Sequence, residues 1–163
     1  MDIDLLTQVS YLSVLPNQII SANTNSAALQ IGGALSATGN NTVGALSGTA
    51  GFKGRLALVI SSGSAVNTPA FTGYLVTGGT NNIAAMTNVV LSTYNTSTNA
   101  LASNPLNSNV ATFSANATNQ IQVFGFDSRA VSNYVALITS ISGVNATLET
   151  SAIIIGTKAY EPS

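Results

Sequence analysis

The chain has 163 residues, of which four are basic and five are acidic, so its net charge is −1. It contains no Cys, no His and no Trp, which excludes thiol nucleophiles, histidine-based triads, haem, iron–sulfur clusters and the usual zinc sites. Four basic residues cannot neutralise a run of phosphates, so nucleic-acid binding is not expected.

The pattern of apolar residues predicts many short β-strands separated by turns rich in Gly, Asn, Ser and Thr. Residues 3–15 alternate as a strand does, with a short helix as the weaker alternative. A brief strand is expected over 27–31 and another near Val43. Residues 53–61 form the clearest strand, since their aliphatic side chains alternate. The remaining strands are predicted over residues 70–77, 88–94, 110–114, 120–126, 134–142 and 147–155.

Glycine-containing clusters predict the turns between these strands. Turns are expected at Ser62-Gly63, over residues 78–82 and at Gly143-Val144-Asn145, the last as a hairpin. Residues 95–109 are predicted to be a polar loop. About eight to ten strands without a helix indicate an all-β, antiparallel β-sandwich of jelly-roll type. We expect residues 1–16 to be an N-terminal arm or edge strand, and residues 17–163 to be a single sandwich domain.

Several predicted strands are apolar on both faces. In residues 134–141, Val135 and Leu137 share one face while Tyr134 and Ile138 share the other, and the three consecutive Ile of 153–155 must point both ways. A solvated sandwich has polar residues on its outer face. Such strands are therefore either covered by another subunit or central in their sheet and covered by loops.

Few side chains could support catalysis or bind a metal. Asp127 and Glu149 are the only carboxylates far from the chain ends, and a glycosidase would need both in one cleft. The nearest approach to a calcium ligand pair is Asp2 and Asp4, which is fewer carboxylates than calcium prefers. We predict that the protein is not an enzyme and uses no cofactor or metal.

The sequence contains no apolar run near the roughly 18 residues of a membrane span. Its acidic start, with Asp2 and Asp4, does not match a secretory signal, which has a basic first region. A neutral surface rich in Asn, Ser and Thr is nevertheless typical of proteins that function outside cells. A virion component, assembled in the host cytoplasm and released by lysis, fits both observations.

The last third of the chain resembles a known group of proteins. An aspartate precedes a tyrosine that opens a strand, a Gly turn follows, and a short aliphatic strand leads to a closing K-x-Y; the residues are Asp127, Tyr134, Gly143, the SAIIIG run of 151–156, Lys158 and Tyr160. This pattern, with the central strand of residues 54–65, resembles the small decoration or cement proteins of tailed-bacteriophage heads.

The resemblance implies a β-sandwich without a catalytic site or cofactor. It also implies a homo-oligomer, frequently a trimer, that sits on the major capsid protein and binds neither nucleic acid nor membrane. The expected location is the virion. The residues predicted to form subunit or capsid interfaces are Ile3, Leu5, Val9, Tyr11, Tyr134, Ile138, Ile154 and Tyr160.

Two other functions remain open from the sequence. One is a carbohydrate- or receptor-binding sandwich of a phage fibre or tail, in which tyrosines could stack on sugars. The other is a different minor structural component of a virion.

Overall fold

A computed structural model describes residues 9–31, 55–95, 100–101, 111–113, 118–127 and 130–157. The described residues form twelve β-strands and one 3-10 helical turn, Ile83–Ala85. None of their helical structure is long and apolar enough to cross a membrane. The strands are β1 (Val9–Ile20), β2 (Thr24–Asn25), β3 (Leu29–Gln30), β4 (Arg55–Val66), β5 (Ala70–Gly78), β6 (Thr87–Asn88), β7 (Ser92–Asn95), β8 (Ala100–Leu101), β9 (Ala111–Phe113), β10 (Ile121–Asp127), β11 (Tyr134–Ser142) and β12 (Thr147–Thr157).

The strands form two antiparallel sheets packed as a sandwich. Sheet I has the order β1-β12-β4-β10-β7-β8, and sheet II has the order β2-β11-β5-β6, with β3 on β11 and β9 on β5. Along the chain the pairs β1 with β12, β2 with β11, β4 with β10, and β5 with β9 lie one inside the other. This nested pairing is that of one long hairpin wrapped into two sheets, which is the jelly roll. The predicted all-β sandwich is therefore confirmed.

Strict alternation divides the core from the outer faces. In β4, Leu56, Leu58 and Ile60 point inward and are at most 3% exposed, while Ala57 and Val59 between them are half-buried. The same period of two operates in β12, where the even-numbered residues are buried. Both sheets contribute to a single core cluster, whose largest fully buried side chains include Phe71, Leu75, Phe124, Leu137 and Ile154.

Buried hydroxyl groups complete the hydrogen bonding where the strands are short. The Ser26 backbone N–H donates to the Leu137 carbonyl, and the Leu137 N–H donates to Ser26 Oγ, both at 2.8 Å. Thr77 Oγ1 donates to the Tyr134 carbonyl at 2.9 Å and accepts from the Ser132 N–H at 2.8 Å. A buried polar group without a hydrogen-bond partner destabilises the folded state, so these neutral side chains help to stabilise the fold.

The structure corrects two predicted turns. Ser62-Gly63 lies within β4, where the register with β12 shifts between Leu148 and Thr150, so the signal marks a β-bulge. Residues 143–145 do form a turn, but β11 belongs to sheet II and β12 to sheet I. That turn therefore connects the two sheets instead of closing a hairpin.

The N-terminal prediction is also revised. The division at residue 16 falls inside β1, and Leu12, Val14 and Leu15 are core residues. Residues 9–16 belong to an extended strand at the edge of sheet I and do not form the helix that was the weaker alternative. Residues 1–8 lie outside the described residues, as does the predicted strand near Val43.

Short pairings produce the remaining differences from the predicted strands. The pattern did not indicate β2 or β8, each of which has two residues. The predicted strand over 88–94 is divided between β6 and β7. Two residues are too few to show a period of two, so their pairing depends on the long strands beside them.

Two connections at one end of the sandwich contain left-handed backbone. Asn67 and Thr68, between β4 and β5, have φ of 56° and 49°. The Asn67 side-chain amide donates to the Asn145 carbonyl at 3.0 Å, which joins this connection to the one between β11 and β12. Asn tolerates the left-handed region, but a β-branched residue such as Thr68 is strained there.

We predict that Thr68→Asn stabilises the protein. Removing the β-branched side chain from left-handed backbone should raise the free energy of unfolding by about 1 kcal/mol. Urea denaturation of both proteins measures the difference. Gly143→Ala is the opposite control, because Gly143 has φ of 134° and an added Cβ would lie 2.6 Å from the Ala146 Cβ. A less stable Thr68→Asn variant would show that the Thr68 side chain is favourable where it is.

Candidate functional site

The outer side of sheet I contains a group of neighbouring apolar residues, here called the apolar face. The strand registers place its members side by side in rows. Tyr11 lies opposite Ile155, which lies opposite Ala57. In the next row Ile153 lies opposite Val59, which lies opposite Val123. Ile121 lies one row further, opposite Ser61, and on β1 the residue opposite Ile153 is Ser13. The apolar face consists of the apolar members of these rows, Tyr11, Ala57, Val59, Ile121, Val123, Ile153 and Ile155.

The most exposed members lie on the outer two strands of the face. Tyr11 in β1 is 62% exposed, and Ile121 and Val123 in β10 are 70% and 40% exposed. The four members in β4 and β12 are half-buried. The half-buried members in β12 and β4 lie between the exposed members in β1 and β10, so the residues form a patch rather than scattered single residues. Patches of this kind mark interaction sites.

Polar residues limit the apolar face at both ends. Toward one end, Ser61 lies opposite Ser151 and their hydroxyls are 2.7 Å apart, with Glu149 beyond them along β12. Toward the other end, the register pairs Arg55 with Asp127 one row beyond Ala57. Among the described side chains between these limits, none is charged. The face is therefore apolar and electrically neutral.

Glu149 connects three strands at the polar end of sheet I. Its Oε1 accepts from the Asn17 side-chain amide of β1 at 2.8 Å, and its Oε2 accepts from the Ser64 backbone N–H of β4 at 3.3 Å. The registers with β1 and β4 both shift near this residue. The carboxylate thus provides acceptors where the two bulges interrupt the regular ladder. An added Cβ at Gly63 would lie 2.5 Å from Oε2, so a larger residue there would displace the carboxylate.

The hydrogen bonds lower the pKa of the Glu149 carboxyl group. The Asn17 side chain is the largest cause and the Ser64 backbone N–H the next, and together they hold the pKa of Glu149 below its ordinary value of 4.5. Donors to the ionised form favour that form. Glu149 is therefore negatively charged at neutral pH and is used structurally.

The two carboxylates considered for catalysis do not share a site. Asp127 lies opposite Arg55 at the start of β4, whereas Glu149 bonds Ser64 near its other end. Nine strand residues separate these positions, which corresponds to roughly 30 Å. A pair of glycosidase carboxylates would be about 5 to 9.5 Å apart. Within the described residues, no group of three or more acidic, His or Cys side chains is placed to hold a metal ion.

The predicted interface residues do not form one surface. Tyr11 belongs to the apolar face, while Tyr134 and Ile138 are half-buried on the outer side of sheet II. Val9 is the first residue of β1, and its side chain is not among those that the structure describes. Ile3, Leu5 and Tyr160, which were also predicted to lie at interfaces, are outside the described residues.

Ile154 is a correction to the predicted interface. Its side chain is 0% exposed and belongs to the chain's own core cluster. The neighbours Ile153 and Ile155 point outward instead and belong to the apolar face. The three-isoleucine run was correctly predicted to point both ways, but the sequence did not show which side was internal.

A cleft of about 410 Å³ lies between the edges of the two sheets. Strand β1 lines it on one side, and β2 and β3 line it on the other. Its polar lining includes Ser13, Gln18, Thr24 and Asn25, and its apolar lining includes Leu29. Neutral amides and hydroxyls around an apolar floor suit an uncharged polar ligand.

No family model matches this sequence, and comparisons with curated proteins and with solved structures find no significant similarity.

We predict that Glu149 makes stability depend on acid pH. Its folded pKa is lowered, so its stabilising contribution is present above the unfolded pKa near 4.5 and is lost as the pH falls through the lower folded value. Thermal melts between pH 7 and pH 3 should show a smaller acid loss in Glu149→Gln than in the unaltered protein. The control is Asn88→Asp, which adds an exposed carboxylate in β6 of sheet II. Equal acid sensitivity of Glu149→Gln and the unaltered protein would contradict the assignment.

Proposed function

We propose that this protein is a structural component of a phage-like virion, a decoration or cement protein that stabilises the head through protein–protein contacts. The observation that supports the proposal is the apolar face. Water solvates such a face poorly, and a protein surface that lacks charge at its centre has the composition of an interface core. A molecule that functions in many copies, each buried against a neighbour, suits that surface.

The low overall charge supports the same function. With a net charge of −1, copies of the chain repel one another little. A shell also presents each attached copy at high local concentration, so weak individual contacts add to strong attachment. The jelly roll is a framework that viral capsid proteins share with lectins, which is compatible with the proposal but does not select it.

Attachment to heads tests this proposal. Purified heads lacking the protein should take up the added protein to a fixed stoichiometry, measured by co-sedimentation, and should then withstand a higher temperature. Ile121→Asp places a charge on the apolar face and should lower uptake at least tenfold. Val144→Asp is the matched control, since Val144 is 86% exposed in the turn before β12. No uptake of the unaltered protein would refute the proposal.

A carbohydrate-binding function is the second candidate, and the cleft between β1 and β2–β3 favours it. The side chains of Gln18 and Asn25 line this cleft and are exposed. Amide and hydroxyl groups can hydrogen-bond the hydroxyls of a sugar, and 410 Å³ is within the size range of small-molecule pockets. In this case the protein would be a receptor-binding module of a fibre or tail.

A glycan array separates the two candidates. A decoration protein should bind no saccharide class above background, whereas a binding module should show a defined preference. If a preference appears, Asn25→Ala should reduce it, and Asn88→Ala, in an exposed position of β6, should not. Saccharide binding that survives Asn25→Ala would place the sugar elsewhere on the molecule.

A further inference from the structure

Resting on the proposed function, we infer that residues 1–8 of one copy bind in the cleft between β1 and β2–β3 of a neighbouring copy. Residues 1–8 are outside the described residues, and they lead directly into β1 at Val9. Fully extended, they reach at most about 28 Å from that strand. The other candidate occupants of the cleft are residues 1–8 of the same copy and a saccharide.

The cleft lies along an open side of the sandwich. Strand β1 is at the edge of sheet I and, among the described residues, pairs only with β12. The opposite wall consists of residues 24–29, at the edge of sheet II. From Ser13 to Gln18 the cleft runs about 17 Å along β1. It is therefore long enough for a short extended segment of chain.

The lining of the cleft suits a polypeptide better than a saccharide. Pro16 and Ala27 are exposed and Leu29 is half-buried, so both walls provide accessible apolar atoms. The exposed side chains of Gln18 and Asn25 line the same walls. Their amides have N–H donors and a carbonyl acceptor, which match the groups of a peptide backbone. Among the described residues that line the cleft, none is aromatic, so a sugar ring would have no stacking partner.

The irregular edge of β1 makes these side-chain amides necessary. The register with β12 shifts between Ser13 and Leu15 and again between Leu15 and Gln18. Pro16, within this part, has no backbone N–H. A bound segment could not form a regular ladder along it, so side chains must supply the hydrogen bonds. An edge of this kind also resists the addition of whole sheets, which limits the contact to a short segment.

Residues 2–5 have the two-sided character that an open cleft requires. Ile3 and Leu5 alternate with Asp2 and Asp4. In an extended segment, successive side chains point to opposite sides. Ile3 and Leu5 can then contact the apolar walls while both carboxylates stay in water. This orientation buries apolar surface without the desolvation cost of a charge.

The same copy could fill its own cleft only after a sharp reversal of the chain. The cleft begins at Ser13, which lies beyond Val9 along β1, so the chain would have to turn back between Leu5 and Val9. The intervening residues 6–8 are Leu-Thr-Gln. They include none of the Gly, Asn, Asp or Pro residues on which tight reversals depend. A neighbouring copy is therefore the better acceptor.

A contact of this kind runs head to tail. The donor uses residues 1–8 and the acceptor uses its cleft, so the two surfaces are different. Head-to-tail contacts close into rings when the rotation between copies allows it, which is compatible with the trimer that the resemblance implies. The contact leaves the outer side of sheet I free, so it does not compete with attachment through the apolar face.

Crosslinking in the cysteine-free chain tests the inference. Isotope-labelled Leu5→Cys protein is mixed with unlabelled Asn25→Cys protein, a short bismaleimide is added, and the mixed dimer is measured by mass spectrometry. Its yield should exceed roughly tenfold that of Leu5→Cys mixed with Asn88→Cys, because binding raises the local concentration of the cleft thiol. Asn88 is the matched control, since it is exposed in β6, away from the cleft. Circular dichroism confirms that each variant is folded.

The double variant Leu5→Cys with Asn25→Cys shows which copy supplies the segment. Contacts between copies should give covalent products of two and three times the monomer mass of 16.5 kDa on a denaturing gel. A product that stays at the monomer mass at every protein concentration, with both thiols consumed, would show that the chain fills its own cleft. That result would overturn the inference.

Association without a crosslinker gives an independent test. Sedimentation equilibrium of the unaltered protein should show masses above that of the monomer as the concentration rises. Ile3→Ser with Leu5→Ser removes the apolar side of the segment and should weaken the association about tenfold or more. The matched control is Asp2→Ser with Asp4→Ser on the opposite side, which should leave the association intact. Equal effects of the two pairs, or a protein that is monomeric throughout, would refute the contact.

The failure of this inference is distinguishable from failure of the proposed function. If heads take up the protein although the Leu5→Cys and Asn25→Cys thiols do not join, only the contact between copies is refuted. If the thiols join but heads take up none, the contact stands and the virion function is refuted. A saccharide whose binding is lost in Asn25→Ala would assign the cleft to a sugar and overturn the inference.

Discussion

The structure depends on the central position of β12, which is hydrogen-bonded to β1 on one side and to β4 on the other. A shift of one residue in either register would exchange the inner and outer side chains of the strand. The register that buries Leu148 and Ile154 in the core also turns Ile153 and Ile155 outward. The core and the apolar face are therefore two consequences of one pairing, and neither can be changed without the other.

A sandwich with so few charges relies on neutral groups for its polar interactions. Thr139 is 1% exposed and its hydroxyl donates to the Thr24 carbonyl at 2.7 Å, and Thr150 likewise donates to the Ser61 carbonyl at 2.9 Å. Hydroxyls can satisfy buried backbone groups without the desolvation cost of an ion. The abundance of Ser and Thr thus has a structural cause, and it leaves the molecule near neutrality, where proteins associate most readily.

The sequence was sufficient for the fold class and for the long strands because their period of two extends over many residues. The alternation in residues 53–61 predicted the strand β4 and put its leucines on one side, which the structure shows to be the core side. The sequence was not sufficient to identify the interface residues, because Tyr11, Ile154 and Ile138 are all apolar. Only the pairing of distant strands shows that Tyr11 lies on sheet I, Ile154 in the core and Ile138 on sheet II.

The bulges explain why the apolar face ends where it does. Beside Glu149, the chain departs from regular pairing, and a carboxylate held by Asn17 and Ser64 replaces the aliphatic pattern of the same strand. A charge at this position would oppose close packing of a second sheet, since its desolvation would offset the apolar contact. The same residue therefore links three strands and ends the neutral part of sheet I. Its lowered pKa keeps this limit negatively charged at neutral pH.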